Sequence, residues 1–522
     1  MRLQIENMTV EQKIGMVLCA RRFDNQEDID FSLELIKNHA LGCAQVLPHQ
    51  TEVMKKIKET ADYPVLIIAD MESGFQRAPL PKVSLMSLSA CNKPEYYRAY
   101  AKGIAHYAKR AGYSGAWSPV VDVVRRSGPC IVSRVISNDP YKVAKAAAEI
   151  SAVFKEQNFL SCGKHYPGVT GFGKDTHMTE GYSVLTEEEI KERNLLPYKY
   201  LLERGLLPSV MTQHSVYKNI DPDYPATLSK KTIDIIRNMG FDGVLFTDSL
   251  AMMGILQKYG EENVYGMAVA AGNDVILTNY RTPTKDCYEM LLKNYRDGLF
   301  TEERLDEAVR RVLKAQELTA EMPDKSVAFT KEDEEILNSV AKDCITAITD
   351  DGVSAALDGK NEDKLFVILE ELEGKKKESS GREITAGDWY NPEQIEKRIE
   401  EKFPGAGIVR LPEFPSASNN DYVLNTATKY KEVVFVTFCK TCAYLGTDGL
   451  TRRAEAVINA LVHSKKVSAV VHFGNPFAMQ EIEHVPRRVF GYTIPDSQLY
   501  AIDLLAGEIE AKGTLPFDIE FD

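Results

Sequence analysis

The feature that most constrains the fold is a repeated alternation of short apolar runs with charged segments of helical periodicity. Eight such runs, rich in β-branched residues, lie between residues 14 and 280 of the 522-residue chain. They read IGMVLCA, GCAQVLP, VLIIAD, AWSPVVDV, SCGKHYP, SVMTQHSV, GVLFTDSL and NDVILTN. Strands that alternate with helices predict a parallel sheet, and eight of them fit a (β/α)8 barrel. An open doubly wound sheet would give the same periodicity, so this pattern favours the barrel without excluding the open sheet.

A second α/β pattern follows a break in the periodicity. The segment LTAEMPDKSVAFTKEDEE has no apolar periodicity, which is typical of a connection between domains. After it, the runs LFVILEE, EVVFVTF, VSAVVHFGN and RRVFGYTI alternate with helical stretches. We therefore predict a catalytic (β/α)8 barrel over residues 1–318, a linker over 319–340 and a smaller C-terminal α/β sandwich domain over 341–522.

Composition narrows the possible partners. Lys and Arg number 63 and Asp and Glu 76, giving a net charge of −13 that is spread along the chain. This balance argues against a nucleic-acid or anionic-membrane partner. The nine cysteines are an odd number, which predicts reduced thiols rather than a disulfide framework. The single C-x-x-C, Cys439 and Cys442, lacks a second pair, so we expect no metal and no cofactor.

The amino terminus, MRLQIENMTVEQKIG, has no apolar core preceded by basic residues. No stretch reaches the roughly 18 uncharged apolar residues of a membrane span. We therefore expect a cytoplasmic protein. We also expect it to be either a monomer or a homodimer.

Several apolar runs end in polar or charged residues that could build a site. These residues are Asp70, Glu72, Asp122, Lys164, His165, His214 and Asp248. In a barrel, the carboxyl ends of the strands form the active-site face. Chemistry is therefore predicted where these strands end.

The most informative stretch is GKHYPGVTGFGKDTH, residues 163–177. Its glycines predict a mobile or tightly turned loop. Asp175 and His177 are two residues apart, so the carboxylate can fix the tautomer and orientation of the imidazole. This makes His177 a candidate general acid/base. A D-x-H alone is more often a pair of solvated loop residues, and the neighbouring Lys164–His165 pair reduces the weight of that alternative.

A second stretch, GFDGVLFTDSLAMMGI, places Asp248 after an apolar strand and before a helical run. A strand-end carboxylate can act as a nucleophile toward an anomeric carbon. Alternatively, Asp248 or Ser249 can serve as the N-cap of the helix that follows.

Two further stretches carry candidate ligand-binding groups. Asp70, Glu72 and Arg77 in IIADMESGFQR suit hydrogen bonding to sugar hydroxyls or a structural ion pair. Arg134, at the end of SPVVDVVRRSGPCIVSR, could be a binding group or an ordinary surface arginine.

Together these stretches resemble glycoside hydrolase family 3, and within it the β-N-acetylglucosaminidases of cell-wall recycling. The family signature K-H-F-P-G-x-G, four residues, then D-[ST]-H is matched by KHYPG from Lys164 and DTH from Asp175, at the same spacing. The family's T-D-[DS]-L-x-M stretch appears as TDSLAM. DMESGFQR and SPVVDV match two further elements, and the resemblance spans roughly residues 8–315.

This resemblance implies a barrel and a retaining exo-β-N-acetylglucosaminidase that acts on a small soluble glycoside. Asp248 matches the nucleophile, His177 the acid/base and Asp175 the group that orients the histidine. The resemblance assigns sugar binding to four further residues: Asp70, Arg134, Lys164 and His165. Such groups converging on one sugar would orient it for attack.

The chain departs from the family pattern at Val169-Thr170-Gly171, at Glu72-Ser73-Gly74 and after Arg134. These changes leave substrate preference open, because family activity does not follow from a fold. Three alternatives remain: a β-N-acetylglucosaminide phosphorylase, a family 3 β-glucosidase, and a carbohydrate-binding protein that does not catalyse.

Overall fold

A computed structural model describes residues 2–128, 130–169, 174–321, 328–370, 390–444, 446 and 448–521, and the backbone of 376–377 and 383–384. The chain divides into two compact units. The first comprises residues 1–80, 97–125 and 139–334, and the second comprises 81–96, 126–138 and 335–522. In the described residues, no helix is both long and apolar enough to cross a membrane.

The first unit is built on eight short strands. They are β1 (Leu18–Ala20), β2 (Cys43–Ala44), β3 (Leu66–Ala69), β4 (Gly115–Ala116), β5 (Gly163–Tyr166), β6 (Ser209–Thr212), β7 (Val244–Thr247) and β8 (Ile276–Leu277). All pairings between them are parallel. Their residues are buried, as expected of strands covered on both faces.

The eight strands follow one another in a ring. The order β8-β1-β2-β3-β4 forms one sheet and β5-β6-β7 another. Isolated parallel bridges join the two sheets, Gly115 to Leu160 on one side and Phe246 to Val275 on the other. A Cβ at Gly115 would lie 2.6 Å from Leu160, so the absence of a side chain there permits the close pairing of β4 with the segment before β5. This ring agrees with the predicted (β/α)8 barrel.

Helices alternate with these strands. Those of the first unit are Val10–Met16, Gln26–Lys37, Thr51–Thr60, Pro140–Glu156, Glu187–Glu189, Leu196–Glu203, Lys230–Asn238, Met253–Tyr259, Glu261–Ala271, Thr284–Arg296 and Glu302–Ala320. Pro94–Arg110 and Lys331–Asp343 cross the limits of the two units. A short parallel ribbon pairs Gly181–Ser183 with Ser215–Tyr217.

The second unit contains a six-stranded sheet. Its strands, in spatial order, are Thr346–Thr349, Arg487–Phe490, Val467–Gly474, Glu432–Cys439, Lys364–Glu370 and Gly407–Pro412. The first pair is antiparallel and the others are parallel. The helices of this unit are Leu85–Cys91, Pro392–Lys402, Ala417–Ala427, Arg452–His463 and Ser497–Leu505. Buried Val, Ile and Phe side chains of the central strands form its core.

The two units do not divide at one point in the sequence. Two segments that fall inside the predicted 1–318 barrel, residues 81–96 and 126–138, group with the second unit. The predicted linker, 319–340, contains the start of the helix Lys331–Asp343. Leu337 and Val340 are buried, and their spacing of three residues places them on one face of that helix.

A buried carboxylate, Asp274, joins β7 to two helices of the first unit. Its oxygens lie 2.6 Å from Arg237, 2.6 Å from Arg304 and 3.2 Å from Arg311. It also accepts a hydrogen bond of 2.9 Å from the amide of Leu245 in β7. One carboxylate thus links Lys230–Asn238 and Glu302–Ala320 to the strand ring.

We predict that Asp274→Ala lowers the free energy of unfolding by about 3–5 kcal/mol, because three guanidinium groups lose their shared buried partner. The measurement is the midpoint of urea unfolding. Asp242→Ala is the matched control, since that carboxylate also contacts Arg311 but is 68% exposed; we expect less than about 1 kcal/mol. Equal shifts for the two variants would contradict this role of Asp274.

Candidate active site

Asp248 directly follows β7 and is held at its backbone and its side chain. Its amide donates to the carbonyl of Thr212 at 2.8 Å, and its carboxylate accepts from the amide of Ser249 at 2.6 Å. The next helix begins at Met253, and its N-cap residue, Met252, makes no side-chain cap. Neither Asp248 nor Ser249 therefore caps this helix, which removes the structural alternative considered for Asp248.

Electrostatics favour the ionised form of Asp248. Burial raises the pKa of this carboxyl, but His165, His214 and His177 outweigh that effect. With the hydrogen bond from the Ser249 amide, they hold the pKa well below its usual value. A carboxylate at the end of a barrel strand is thus available as an anion.

His214 and Arg21 support the residue after this carboxylate. Nε2 of His214 lies 3.0 Å from the carbonyl oxygen of Ser249 and must carry the proton, because a carbonyl only accepts. Nδ1 lies 2.9 Å from Oγ1 of Thr227, and burial lowers the pKa of His214. Arg21 donates to Oγ of Ser249 at 2.5 Å. His214 was noted in the sequence as a strand-end residue, whereas nothing in the local sequence pointed to Arg21.

Asp175 and His177 form the predicted pair. Nδ1 of His177 lies 2.7 Å from Oδ1 of Asp175, which also accepts from the His177 amide at 2.9 Å. The Asp175 carboxylate is buried, while the imidazole is 24% exposed. Since a carboxylate accepts, Nδ1 carries a proton, and Nε2 is the nitrogen that can exchange a proton with a reacting group.

The loop with this pair is anchored to the start of the helix Met253–Tyr259. The amide of Met253 donates to the carbonyl of His177 at 3.2 Å, and that of Gly254 donates to Thr176 at 3.1 Å. A Cβ at Gly254 would lie 2.5 Å from the carbonyl oxygen of Thr179, so glycine permits this close approach. The chain that follows Asp248 thereby fixes the position of His177.

Lys164 and His165 lie within β5, and the side chain of each is held by at least one carboxylate. Nζ of the buried Lys164 lies 2.6 Å from Asp70 and 2.5 Å from Glu72. Asp70 is 57% exposed, so its carboxylate can accept from a ligand hydroxyl while it pairs with Lys164. In the sequence, Glu72 is a strand-end residue beside Asp70 and is not among the predicted site residues. The structure shows that it is a second partner of Lys164.

Asp122 orients His165. Its Oδ2 lies 2.7 Å from Nδ1 of His165, and its carboxylate also accepts from the amides of His165, at 3.2 Å, and Val169, at 2.6 Å. It is fully buried. The sequence marked Asp122 as a strand-end residue, yet only the fold connects it with His165.

Arg134 lies in the short 3-10 turn Val132–Arg134, in the second unit. The other six predicted site residues lie in the first unit. Of the unusual triplet after Gly168, Val169 is described, whereas Thr170 and Gly171 lie outside the described residues.

Comparison with known proteins gives a family match over the amino-terminal part of the chain. Residues 10–315 match the Glycosyl hydrolase family 3 N terminal domain. The chain belongs to glycosyl hydrolase family 3. This family 3 chain is 30% identical to a β-hexosaminidase of Photobacterium profundum over 43% of its own length and 68% of that protein. It is 25% identical to a β-N-acetylglucosaminidase/β-glucosidase of Cellulomonas fimi over 60% of its length, and it spans 58% of that relative.

Solved structures extend the likeness of this family 3 chain to both units. A family 3 β-N-acetylglucosaminidase from Paenibacillus sp. str. FPU-7 has a TM-score of 0.79 and 23% identity, with 98% of this chain and 99% of that chain covered. A β-glucoside phosphorylase has a TM-score of 0.79 and 19% identity, with 98% and 95% covered. The predicted fold class, a TIM-like barrel followed by a smaller α/β sandwich domain, is confirmed.

We predict that Gly254→Ala loosens the loop with Asp175 and His177, because the added methyl group would collide with the carbonyl oxygens of Thr176 and Thr179. Amide hydrogen exchange in residues 174–180 should become at least about tenfold faster. Gly449→Ala is the control, since a Cβ there meets nothing within 4 Å. Unchanged exchange in the Gly254 variant would show that this contact does not hold the loop.

Proposed function

We propose that the chain is a retaining exo-β-N-acetylglucosaminidase that removes a terminal β-linked N-acetylglucosamine. The observation that carries the proposal is the Asp175–His177 hydrogen bond of 2.7 Å on a loop that is bonded to the segment after Asp248. A nucleophilic carboxylate and an oriented imidazole are the two groups that a double displacement requires.

In the first step, Asp248 attacks the anomeric carbon while Nε2–H of His177 protonates the departing glycosidic oxygen. The C–O bond to the aglycone breaks as the bond from the anomeric carbon to Asp248 forms. Asp175 stabilises the form of His177 that carries protons on both nitrogens. The low pKa of Asp248 keeps it ionised, as a nucleophile must be.

In the second step, Nε2 of His177 accepts a proton from water, whose oxygen attacks the anomeric carbon. The bond to Asp248 breaks, and the product keeps the β configuration because two inversions have occurred. One imidazole can serve as acid and then as base, because histidine side chains in general gain and lose a proton near neutral pH.

The assignment of the sugar is supported by relatives whose names specify β-hexosaminidase or β-N-acetylglucosaminidase. We assign its hydroxyls to the Asp70–Lys164 pair and to His165, with Arg134 as a further ligand. Lys164 is buried and held by two carboxylates, so the sugar would meet donors and acceptors that are already in place. A role in cell-wall recycling in the cytoplasm remains a prediction from the resemblance.

A phosphorylase is the second candidate, and the acid/base group favours it. A histidine in that role does not repel phosphate as a carboxylate would. A solved structure of similar fold is a β-glucoside phosphorylase. In this reaction phosphate would replace water in the second step and give a sugar 1-phosphate.

We predict that the wild type turns over an aryl β-N-acetylglucosaminide in preference to the corresponding glucoside and xyloside. For Asp248→Ala, which lacks the nucleophile, we predict a roughly 10⁴-fold or greater fall in kcat. Proton NMR of the first-formed sugar should show the β anomer. Wild-type turnover by Asp248→Ala would refute the mechanism. Sugar 1-phosphate formed with added phosphate would favour the phosphorylase, and sugar binding without turnover would indicate a non-catalytic protein.

For Asp175→Ala we predict a fall in kcat/KM, which reports the first step, of about 10²–10⁴-fold on a disaccharide, whose leaving oxygen needs a proton. The fall should be much smaller on a nitrophenyl glycoside, whose leaving group departs without one. Steady-state rates on both substrates are the measurement. Asp223→Ala is the control, because this exposed carboxylate lies in the same unit. Equal losses on both substrates would argue against assistance to the leaving group.

A further inference from the structure

The segment 126–138, which contains Arg134, is integrated into the second unit. In sequence it lies between β4 and the helix Pro140–Glu156, in the position of a barrel loop. Its contacts nevertheless place it with residues 335–522. A residue predicted to bind substrate therefore depends on carboxy-terminal residues for its position.

A reciprocal pair of hydrogen bonds joins Ser133 to Thr441. The amide of Ser133 donates to Oγ1 of Thr441 at 2.9 Å, and the amide of Thr441 donates to Oγ of Ser133 at 2.9 Å. The two hydroxyl oxygens are 3.1 Å apart. Both residues are buried, so water does not replace these bonds without cost. Ser133 precedes Arg134, and its displacement would move that guanidinium group.

A second contact holds the beginning of the segment. Nδ2 of Asn475 donates to Oγ of Ser127 at 2.7 Å and to the carbonyl of Asp448 at 2.8 Å. Asn475 is itself fixed, because its carbonyl accepts from Nε2 of His472 at 2.9 Å. Nδ1 of His472 lies 2.8 Å from Oγ1 of Thr437. His472 and Asn475 thus form part of a polar chain that reaches the segment.

The end of the segment is held by the carboxy-terminal tail. Ser137 donates to the carbonyl of Pro516 at 2.5 Å. Asn138 donates to the carbonyl of Asp518 at 2.9 Å and accepts from its amide at 2.8 Å. Hydrogen bonds therefore join the segment to the rest of the second unit near its start, at its centre and at its end.

We infer that Thr441 and Asn475 are positioning residues that hold the Arg134 segment in the conformation that binds the sugar. The inference rests on the proposed function for the role of Arg134. It assigns to the carboxy-terminal unit an effect on substrate affinity, although neither residue takes part in the bond-breaking steps.

The test compares Thr441→Val, which removes the hydroxyl, with Thr441→Ser, which keeps it. Calorimetry with N-acetylglucosamine should give a Kd about tenfold higher for the valine variant than for the wild type. The serine variant should have the wild-type Kd. With the aryl glycoside, KM should rise by a similar factor while kcat changes less than about twofold. Thr346→Val is the matched control, a buried threonine of the same unit whose hydroxyl contacts Tyr492.

Arg134→Met provides the second arm. If Thr441 acts through Arg134, Thr441→Val should weaken binding little further in the Arg134→Met background. Additive losses, or a Kd for Thr441→Val equal to that of Thr346→Val, would overturn the inference. If the wild type binds the sugar without turnover, the hydrolase proposal fails while the comparison of Kd values still decides the inference. If the wild type does neither, both proposals fail.

Discussion

Parallel pairing of eight strands in one ring is the constraint on which the candidate site depends. Because the strands share one direction, all their carboxyl ends lie at one face. Asp70 and Asp248 are distant in sequence but directly follow β3 and β7, and Lys164, which lies within β5, pairs with Asp70. The ring is closed by short bridges at Gly115 and Val275, so the placement of the chemistry depends on a few residues at its seams.

In the candidate site, each lysine or histidine named below lies beside at least one carboxylate. Lys164 is matched by Asp70 and Glu72, His165 by Asp122, and His177 by Asp175. Asp248 differs, since three histidines lower its pKa and its carboxylate accepts a hydrogen bond from a backbone amide. These carboxylates orient the groups that we propose for acid/base chemistry and for sugar binding.

The periodicity of the sequence predicted parallel strands that alternate with helices, and strand-end polarity indicated where several candidate site residues lie, because both depend on residues close together in the chain. The D-x-H spacing, taken together with the neighbouring Lys164–His165 pair, predicted the Asp175–His177 bond. Contacts between distant segments could not be predicted in this way. The sequence indicated Asp122 as a strand-end residue, but its bond to His165 depends on the bridge between Val120 and Lys164. The assignment of residues 126–138 to the second unit depends on partners some 300 residues further along, for which local sequence gives no signal.

The grouping of residues 81–96 and 126–138 with the carboxy-terminal unit also limits where the chain can be truncated without removing their packing partners. A truncation at residue 318 would remove the partners of Ser133 and leave two inserted segments without the structure they pack into. The apolar side chains of Leu85–Cys91, which are buried, would then face water. Shuffling of domains between relatives would have to exchange these two loops together with the carboxy-terminal unit, so the natural module is discontinuous in sequence.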